Sequence, residues 1–230
     1  MGSIPLEKDL NWWWYKAKNN LLTHILNTFI KVSNLNILEI GPGLGNSLQT
    51  LSKYGTVDVL ETDVDFIDYL KNTHQLKEDH ILKSLDEVDK KYDLIVMLDV
   101  LEHIEKSKEF MLNLKKILHI DSLVIIGVPA YDSLWSVHDE ELLHFRRYNW
   151  QLLKEETKHY KILKKYGFNF LLLPVRYLQI KFTKPSTTNS TGSLLNSLMY
   201  LVSRLEIIFT KIGLNPKFGI SLYVVLKNKL

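Results

Sequence analysis

Apolar residues recur along the chain in two kinds of pattern. Short runs rich in Val, Ile and Leu predict strands that are covered on both faces. Longer stretches with an apolar residue at every third or fourth position predict amphipathic helices. The predicted strands are residues 37–40, 57–61, 80–83, 92–98, 122–128, 168–173 and 220–226. The predicted helices are residues 16–32, 44–54, 64–73, 107–119, 150–166 and 194–212.

The alternation of strands and helices predicts an α/β fold. Such an order is typical of a doubly wound, mostly parallel sheet with helices on both faces. With 230 residues, of which 46% are hydrophobic, residues 1–230 are expected to form a single domain. Residues 12–33 form an aromatic and helical lead-in, and Gly167 is expected to cap the helix 150–166.

Composition narrows the classes of function. The chain has no cysteine, which excludes disulfides, a thiolate nucleophile and a cysteine-based zinc site. The net charge of +3 comes from scattered lysines, so no nucleic-acid partner is expected. No apolar run reaches the roughly 18 residues that span a bilayer, and the N-terminus lacks a signal-peptide pattern. A cytoplasmic location is therefore expected.

The glycines at the end of the first predicted strand indicate a nucleotide-type cofactor site. Residues 37–45 read Ile-Leu-Glu-Ile-Gly-Pro-Gly-Leu-Gly, with Glu39 ahead of Gly41, Gly43 and Gly45. Glycine allows positive φ and lets the backbone approach a ligand, and the helix that follows can present its amides to that ligand. The spacing is not the G-x-G-x-x-G of dinucleotide sites, because position 46 is Asn.

This pattern of an acid followed by three alternating glycines resembles the first motif of the Rossmann-like (class I) S-adenosylmethionine-dependent methyltransferases. The resemblance implies a seven-stranded sheet whose last strands form a hairpin. Glu61, at the end of the second strand, matches the acid that binds the cofactor ribose in that family. The resemblance implies that S-adenosylmethionine is the cofactor and S-adenosylhomocysteine its product, and that Thr62 lies beside them.

Two further strand ends extend the resemblance. The run 92–104, which contains Asp99 and Val100, resembles the fourth methyltransferase motif, whose residues line the methionine part of the cofactor. Its Asp99-Val-Leu-Glu differs from the Asn/Asp-Pro-Pro-aromatic motif of enzymes that methylate nucleic-acid amino groups. Ser84 and Leu85 follow the third strand, where the family reads the adenine edge. Open α/β sheets bind ligands at these carboxyl ends of strands.

The segment 128–148 follows the fifth strand and is rich in His, Arg and aromatic residues. Its length and composition predict a ligand-facing loop. Its Leu-Trp-Ser-x-His-Asp and His-x-Arg-Arg-Tyr motifs resemble a bacterial group of methyltransferases often associated with cell-surface glycan or lipid biosynthesis. The residues of this loop expected to bind the substrate are Tyr131, Trp135, Arg146, Arg147 and Tyr148.

The expected reaction is methyl transfer to an oxygen or nitrogen atom of a small molecule or a lipid-linked saccharide. A hydroxyl acceptor needs a base, and His138 and His144 are the candidates because histidine titrates nearest neutral pH. No metal is expected, although His138, Asp139 and His144 have spacing that permits one. The alternatives are a non-catalytic protein with this fold that keeps the cofactor, and a nucleotide-dependent oxidoreductase.

An insertion is expected at residues 181–216, between the last two strands. It starts with a polar loop and continues with the helix 194–212, whose apolar residues cover more than half of its girth. Such a helix can pack on the core, pair with a second copy of the chain, or contact the inner face of a membrane.

Overall fold

A computed structural model of the protein describes residues 12–182 and 192–229. The strands are β1 (Leu35–Ile40), β2 (Gly55–Leu60), β3 (Ile81–Leu82), β4 (Tyr92–Leu98), β5 (Leu118–Pro129), β6 (Tyr160–Phe168) and β7 (Ser221–Asn228). The helices are α1 (Trp13–Phe29), α2 (Leu48–Leu51), α3 (Val64–His74), α4 (Ser107–Leu114), α5 (Val137–Glu141), α6 (Trp150–Glu156), α7 (Leu173–Phe182) and α8 (Ser193–Lys211).

The strands form one seven-stranded sheet in the order β3-β2-β1-β4-β5-β7-β6. The first five are parallel to one another, and β7 runs antiparallel between β5 and β6. The α/β, mostly parallel fold expected from the sequence is therefore confirmed. Because parallel strands end at the same edge, the segments after β1, β2 and β4 come together there.

Apolar layers cover both faces of the sheet. On one face, Leu38, Ile95 and Met97 pack with buried residues of α4 and α6. On the other, Ile37 and Val96 pack with the buried side of α1, and Ile207 of α8 joins the same cluster. Strands covered on both faces explain the nearly continuous apolar runs in the sequence.

The prediction of one helix over residues 150–166 is wrong. Helix α6 ends at Glu156, and residues 160–168 form β6, which pairs with β7. Gly167 lies inside this strand, where a Cβ atom would meet the backbone oxygen of Phe218 at 2.2 Å. The local spacing of apolar residues suits either element here, and the pairing with β7 decides between them because it satisfies the backbone.

Three further boundaries differ from expectation. The prediction of a strand over residues 168–173 is wrong, because β6 ends at Phe168 and α7 begins at Leu173. The helix expected at 107–119 ends earlier, and β5 already begins at Leu118. The helix expected at 44–54 is reduced to the single turn of α2.

The chain between β6 and β7 spans residues 169–220 and includes both α7 and α8. The expected insertion began later, at residue 181, and its polar loop lies mainly outside the described residues. Among the helices that the structure describes, none is long and apolar enough to cross a membrane.

Candidate functional site

The glycine loop after β1 has the backbone conformation that its sequence predicts. Gly41, Gly43 and Gly45 have φ of 62°, 53° and 70°. These values lie in the left-handed region, which L side chains rarely adopt. A Cβ on Gly41 would come within 2.7 Å of Val100, whereas a Cβ on Gly43 would meet nothing within 4 Å. Gly43 therefore faces open space at the edge of the sheet.

Glu61, just after β2, lies next to this open space. Its Oε2 accepts a hydrogen bond from the Gly43 amide at 3.3 Å. Its Oε1 accepts from the amides of Thr62 at 2.8 Å and Asp63 at 3.1 Å. An ionised carboxylate can accept about four hydrogen bonds, so Glu61 keeps acceptor capacity toward a ligand while the backbone fixes its orientation.

Glu39 lies beneath the loop and is buried. The Ser47 hydroxyl donates to its Oε1, and its Oε2 has no partner among the described residues. Burial raises the pKa of this carboxyl to about 7, against the hydrogen bond from Ser47 and the charge of Lys18, which both lower it. Glu39 can therefore exchange a proton near neutral pH or accept a hydrogen bond from a bound group.

Helix α1 closes the site from the opposite side. Lys18 forms an ion pair with Asp99, the residue after β4. Asn19 donates from its side-chain amide to the Asn46 carbonyl at 2.6 Å, which ties the helix to the glycine loop. The pKa of Tyr15 is raised by its burial and by the nearby charge of Asp99. These contacts hold α1 over the ends of β1 and β4.

A cleft separates α1 from the glycine loop, with an empty volume of about 340 Å³ that includes open solvent. Its walls combine polar residues of α1 with residues of the glycine loop and of the ends of β1 and β4. They are Tyr15, Lys18, Asn19, Glu39, Gly41, Pro42, Asn46, Ser47 and Leu98. Sequence reasoning missed Tyr15, Lys18 and Asn19. The aromatic lead-in was the only sequence feature that pointed to this helix. A single lysine or asparagine on an amphipathic helix is ordinarily exposed to solvent, so neither residue type marks a site.

The expected cofactor residues after β3 and β4 lie at the same edge of the sheet. Asp99 adopts a φ of 57°, which is uncommon for a residue other than glycine. Val100 packs against the core. Ser84 accepts a hydrogen bond from the Asp86 amide at 3.0 Å and so begins the short turn that contains Leu85. These residues thus follow the carboxyl ends of parallel strands of one sheet.

The loop after β5 is built around Asp139, which is fully buried. Arg147 binds its carboxylate with two hydrogen bonds, of 2.7 Å and 3.0 Å, and Ser136 donates its amide at 2.9 Å. The Nδ1 of His144 lies 2.8 Å from Oδ1 of the same carboxylate. Burial by itself would raise the pKa of Asp139, but the hydrogen bonds from His144 and Arg147 hold it below the usual range.

His144 also meets two residues that follow β4. Its ring and that of His103 pack edge to face with centroids 4.6 Å apart. Burial, together with the charge of His144, lowers the pKa of His103 to about 4, so its ring is neutral at pH 7. Glu102 is fully buried, and neither of its carboxylate oxygens has a hydrogen-bond partner among the described residues. Burial first, and then the charge of Asp99, raises the pKa of Glu102 well above its usual range.

Glu102, His103 and His144 each offer one ligand atom within 4.8 Å of the others, so their arrangement permits a metal ion. The sequence had placed that option on His138, Asp139 and His144 instead. In the structure, Asp139 is already bound by Arg147 and Ser136, which leaves its oxygens engaged by protein groups.

Arg146 and Tyr148 lie together at another part of the loop. Arg146 donates to the Ser107 hydroxyl at 2.6 Å and to the Glu105 carbonyl at 2.7 Å. The Tyr148 hydroxyl is buried and lies 2.9 Å from Glu156. These contacts join the loop to α4 and α6. Binding of the acceptor by Arg146, Arg147 and Tyr148 remains a prediction, and in the structure all three hold protein groups.

The remaining predicted residues line the rest of the loop. Tyr131 is half-buried and has a φ of 56°, a strained value for an aromatic residue. Trp135 and His138 are half-buried too, with His138 in the first turn of α5. The structure brings His144, but not Arg146 or Tyr148, to Asp139.

A family model described as a methyltransferase domain matches residues 13–171 of the chain. Among curated proteins, the ubiquinone biosynthesis O-methyltransferase of Rickettsia bellii is 28% identical over 140 residues, which cover 53% of this chain and 58% of that protein. The protein of the same description from Rickettsia conorii is 29% identical over 102 residues, covering 42% of this chain and 35% of that protein. The matched region thus spans 58% of the length of the Rickettsia bellii protein and 35% of the length of the Rickettsia conorii protein.

Solved structures share the fold at low sequence identity. A S-adenosylmethionine-dependent methyltransferase from Clostridium acetobutylicum aligns with a TM-score of 0.60 and 13% identity over 94% of this chain and 92% of that one. The N-methyltransferase NodS from Bradyrhizobium japonicum, in complex with S-adenosyl-L-homocysteine, aligns with a TM-score of 0.56 and 13% identity over 93% and 87% of the two chains.

Proposed function

Because the chain belongs to the family of methyltransferase domains, we propose that it transfers a methyl group from S-adenosylmethionine to an acceptor oxygen. The observation that carries this proposal is the pairing of Gly43 with Glu61. An open glycine cradle stands within hydrogen-bond distance of a carboxylate at the end of β2. This pairing has the shape and the acceptor groups that a nucleoside sugar requires.

The residues around the cleft fit the other parts of the cofactor. Lys18 and Asp99 bear opposite charges and form an ion pair beside Gly41 and Glu39. An α-amino acid is a zwitterion, so the ammonium of Lys18 can bind its carboxylate and Asp99 its amino group. We assign the ribose to Glu61 and Thr62, and the adenine edge to Ser84 and Leu85. Val100 lies against Gly41, and Gly41 and Gly45 shape the loop.

When bound, the sulfonium supplies a methyl group that is already activated for in-line displacement. The protein then has to hold the acceptor in line, and positioning of this kind contributes on the order of 7 to 11 kcal/mol. Helix α1 is tied down by Lys18 and Asn19 over the ends of β1 and β4, where it would limit the access of water to a bound cofactor.

We assign the base to His144. Its Nδ1 is engaged by the buried Asp139, which fixes the ring and leaves Nε2 to take a proton from a hydroxyl. Arg147 and Ser136 hold Asp139 in place, so its carboxylate stabilises the imidazolium that forms. A positioned base of this type favours oxygen over nitrogen as the acceptor, as a neutral amine needs no proton removed before it attacks. His138, in α5, is the second candidate for the same task.

We propose an acceptor that is a small molecule or a lipid-linked saccharide. The motifs of the loop after β5 support the saccharide, through their resemblance to methyltransferases of cell-surface biosynthesis. The curated relatives are named for methylation of an oxygen in ubiquinone biosynthesis, which supports an oxygen acceptor of apolar character.

Isothermal titration calorimetry with Gly43→Ala tests the cofactor site. The new methyl group would project into the open cradle, so we expect at least a tenfold weaker affinity for S-adenosylhomocysteine than in the unchanged protein. Gly213→Ala is the matched control, because Gly213 also has positive φ, of 91°, with nothing within 4 Å of its Cβ position. Both changes cost about 1 to 2 kcal/mol of backbone strain.

Equal affinities of the two variants and the unchanged protein would contradict the assignment of the cradle. Absence of heat with both S-adenosylmethionine and S-adenosylhomocysteine in the unchanged protein would overturn the proposed function. Binding of a nicotinamide dinucleotide in place of either would favour the oxidoreductase.

A further inference from the structure

Helix α8 exposes a continuous apolar stripe. Leu194, Leu198, Leu201, Leu205 and Ile208 recur at alternating spacings of four and three residues, which places them on one face. Their exposed fractions range from 43% for Leu205 to 90% for Leu194. The opposite face carries Ser203, Glu206 and Ile207, which are buried against the protein. A soluble helix ordinarily turns its apolar stripe inward, so this stripe requires another explanation.

Helix α7 adds exposed apolar residues of its own. Val175, Tyr177, Leu178 and Phe182 are exposed by 54%, 48%, 53% and 75%. Both helices belong to the segment 169–220, between β6 and β7. The largest concentration of exposed apolar side chains in the described chain therefore lies on these inserted helices.

The exposed charges of the same segment all have one sign. Among the described residues of 169–220, Lys181, Arg204, Lys211 and Lys217 are exposed. The single acid of this segment is Glu206. Its carboxylate is turned inward and accepts hydrogen bonds from the amides of Phe170 at 3.1 Å and Leu171 at 2.8 Å. The surface presented to solvent is thus apolar and cationic.

The combination of an apolar stripe with exposed cations distinguishes between two possible partners of α8, a second copy of the chain and an anionic lipid surface. In a dimer formed through α8, Arg204 and Lys211 would face a second α8 that has no exposed acid to pair with them. An anionic lipid surface complements both features, because the apolar stripe enters the acyl boundary while the cations meet the headgroups.

The inserted helices also contact α1, which lines the cleft, and the loop after β5. Asn196 of α8 accepts a hydrogen bond from the Trp13 amide at 2.8 Å, and Tyr200 accepts one from Asn20 at 3.0 Å. Both bonds attach α8 to the helix that carries Lys18. Arg176 of α7 donates to Ser136 at 3.3 Å, next to Asp139 in the loop after β5. A surface bound by α7 and α8 would therefore lie beside the entrance to the site.

We infer that α7 and α8 dock the protein on an anionic bilayer and present the site to an acceptor held in that bilayer. The docking itself depends only on this surface, whereas the assignment of the acceptor to the lipid phase rests on the proposed function. Apolar burial and headgroup attraction act together, so binding requires both anionic lipid and the stripe.

Flotation with liposomes tests the docking. We expect the protein to float with vesicles of 70% phosphatidylcholine and 30% phosphatidylglycerol, and at least tenfold less with phosphatidylcholine alone. The variant Leu198→Gln/Leu201→Gln/Leu205→Gln removes the centre of the stripe and should reduce flotation at least tenfold. Val32→Gln/Val64→Gln/Leu112→Gln is the matched control, since these residues are exposed by 65%, 67% and 48% outside the inserted helices.

A second variant, Arg204→Glu/Lys211→Glu, keeps the stripe and reverses its charges. We expect it to lose the preference for phosphatidylglycerol. Equal flotation of all variants would overturn the inference. So would a dimer of the unchanged protein in sedimentation experiments that the leucine variant dissociates, together with no flotation.

Calorimetry with S-adenosylhomocysteine on the same preparations separates the two proposals. Cofactor binding without flotation overturns the docking alone, while flotation without cofactor binding overturns the proposed function alone.

Discussion

His144 is held by a buried carboxylate on one side and by the edge of another imidazole on the other. Its neighbour His103 has a pKa lowered to about 4, by burial first and then by the charge of His144. His103 is therefore neutral at pH 7 and a weaker base than an ordinary histidine.

Replacement of His144 by Ala should slow turnover about 100-fold or more, because a positioned base contributes 10² to 10⁴ in rate. Affinity for S-adenosylhomocysteine should not change, since His144 lies outside the glycine loop. Steady-state kinetics and calorimetry measure the two quantities. His138→Ala tests the second candidate, and His159→Ala, an exposed histidine, is the control.

Unchanged turnover in both His138→Ala and His144→Ala would contradict the assignment of a histidine base. A chelator provides a separate check, because Glu102, His103 and His144 are arranged in a way that permits a metal ion. We expect turnover to be unaffected by the chelator. If the chelator abolished turnover and a divalent cation restored it, the result would contradict the histidine base and favour activation of the acceptor by a bound metal ion.

At the scale of elements, β6 is where local pattern and fold disagree. Tyr160 and Tyr166 are buried, and the exposed Lys161 and Lys164 lie between them on the edge strand of the sheet. The same sequence can be drawn as an amphipathic helix that ends at Gly167. In the sheet, Gly167 pairs with Leu222, and its missing side chain allows the backbone of Phe218 to approach.

The variant Gly167→Ala should lower the free energy of unfolding by about 2 kcal/mol, because an added methyl group in a packed position costs 1 to 3 kcal/mol. Urea denaturation measures this difference. Lys164→Ala, an exposed position in the same strand, should change stability by less than about 0.5 kcal/mol. An unfolding midpoint of Gly167→Ala equal to that of the unchanged protein would contradict the close approach of the Phe218 backbone to this glycine.

At the scale of the whole molecule, a buried acid joins α8 to the residues that follow β6. Burial raises the pKa of Glu206 to about 7, against the hydrogen bonds that its carboxylate accepts from the backbone of Leu171 and Phe170. In the unfolded chain a glutamate ionises near its ordinary pKa of about 4.3. The folded state therefore binds more protons than the unfolded state between these two values.

The free energy of unfolding should therefore fall as pH rises from about 4.5 to 7. The stabilisation that comes from protonated Glu206 is fully present only below the pKa that this residue has in the unfolded chain. Glu206→Gln removes the titrating group. The drop in the free energy of unfolding between pH 4.5 and 7 should therefore be smaller in this variant by on the order of 2 kcal/mol. Urea denaturation at several pH values gives the profile. Glu39 has a similar pKa and remains in both proteins, so some slope should persist. Identical slopes in the two proteins would contradict a raised pKa at Glu206.

Much of the candidate site could be predicted from single residues. The three glycines with positive φ, the acid after β2 and the acid after β4 were all identified from their order along the chain. Lys18, Tyr15 and Asn19 could not be found in that way, because their role comes from the packing of α1 over strands that lie far along the sequence. The opposite happened in the His-x-Arg-Arg-Tyr motif, which predicted contacts with a ligand. In the structure, its side chains Arg146, Arg147 and Tyr148 bind carboxylates of the protein instead.

The sequence by itself determined the α/β order of elements, the parallel sheet and the glycine loop, because strand periodicity and the φ requirements of glycine are local properties. Tertiary structure alone decided that residues 160–168 are a strand, that Lys18 meets Asp99, and that Asp139 binds His144. Those outcomes depend on which distant groups are brought together, and on burial that changes the cost of each charge.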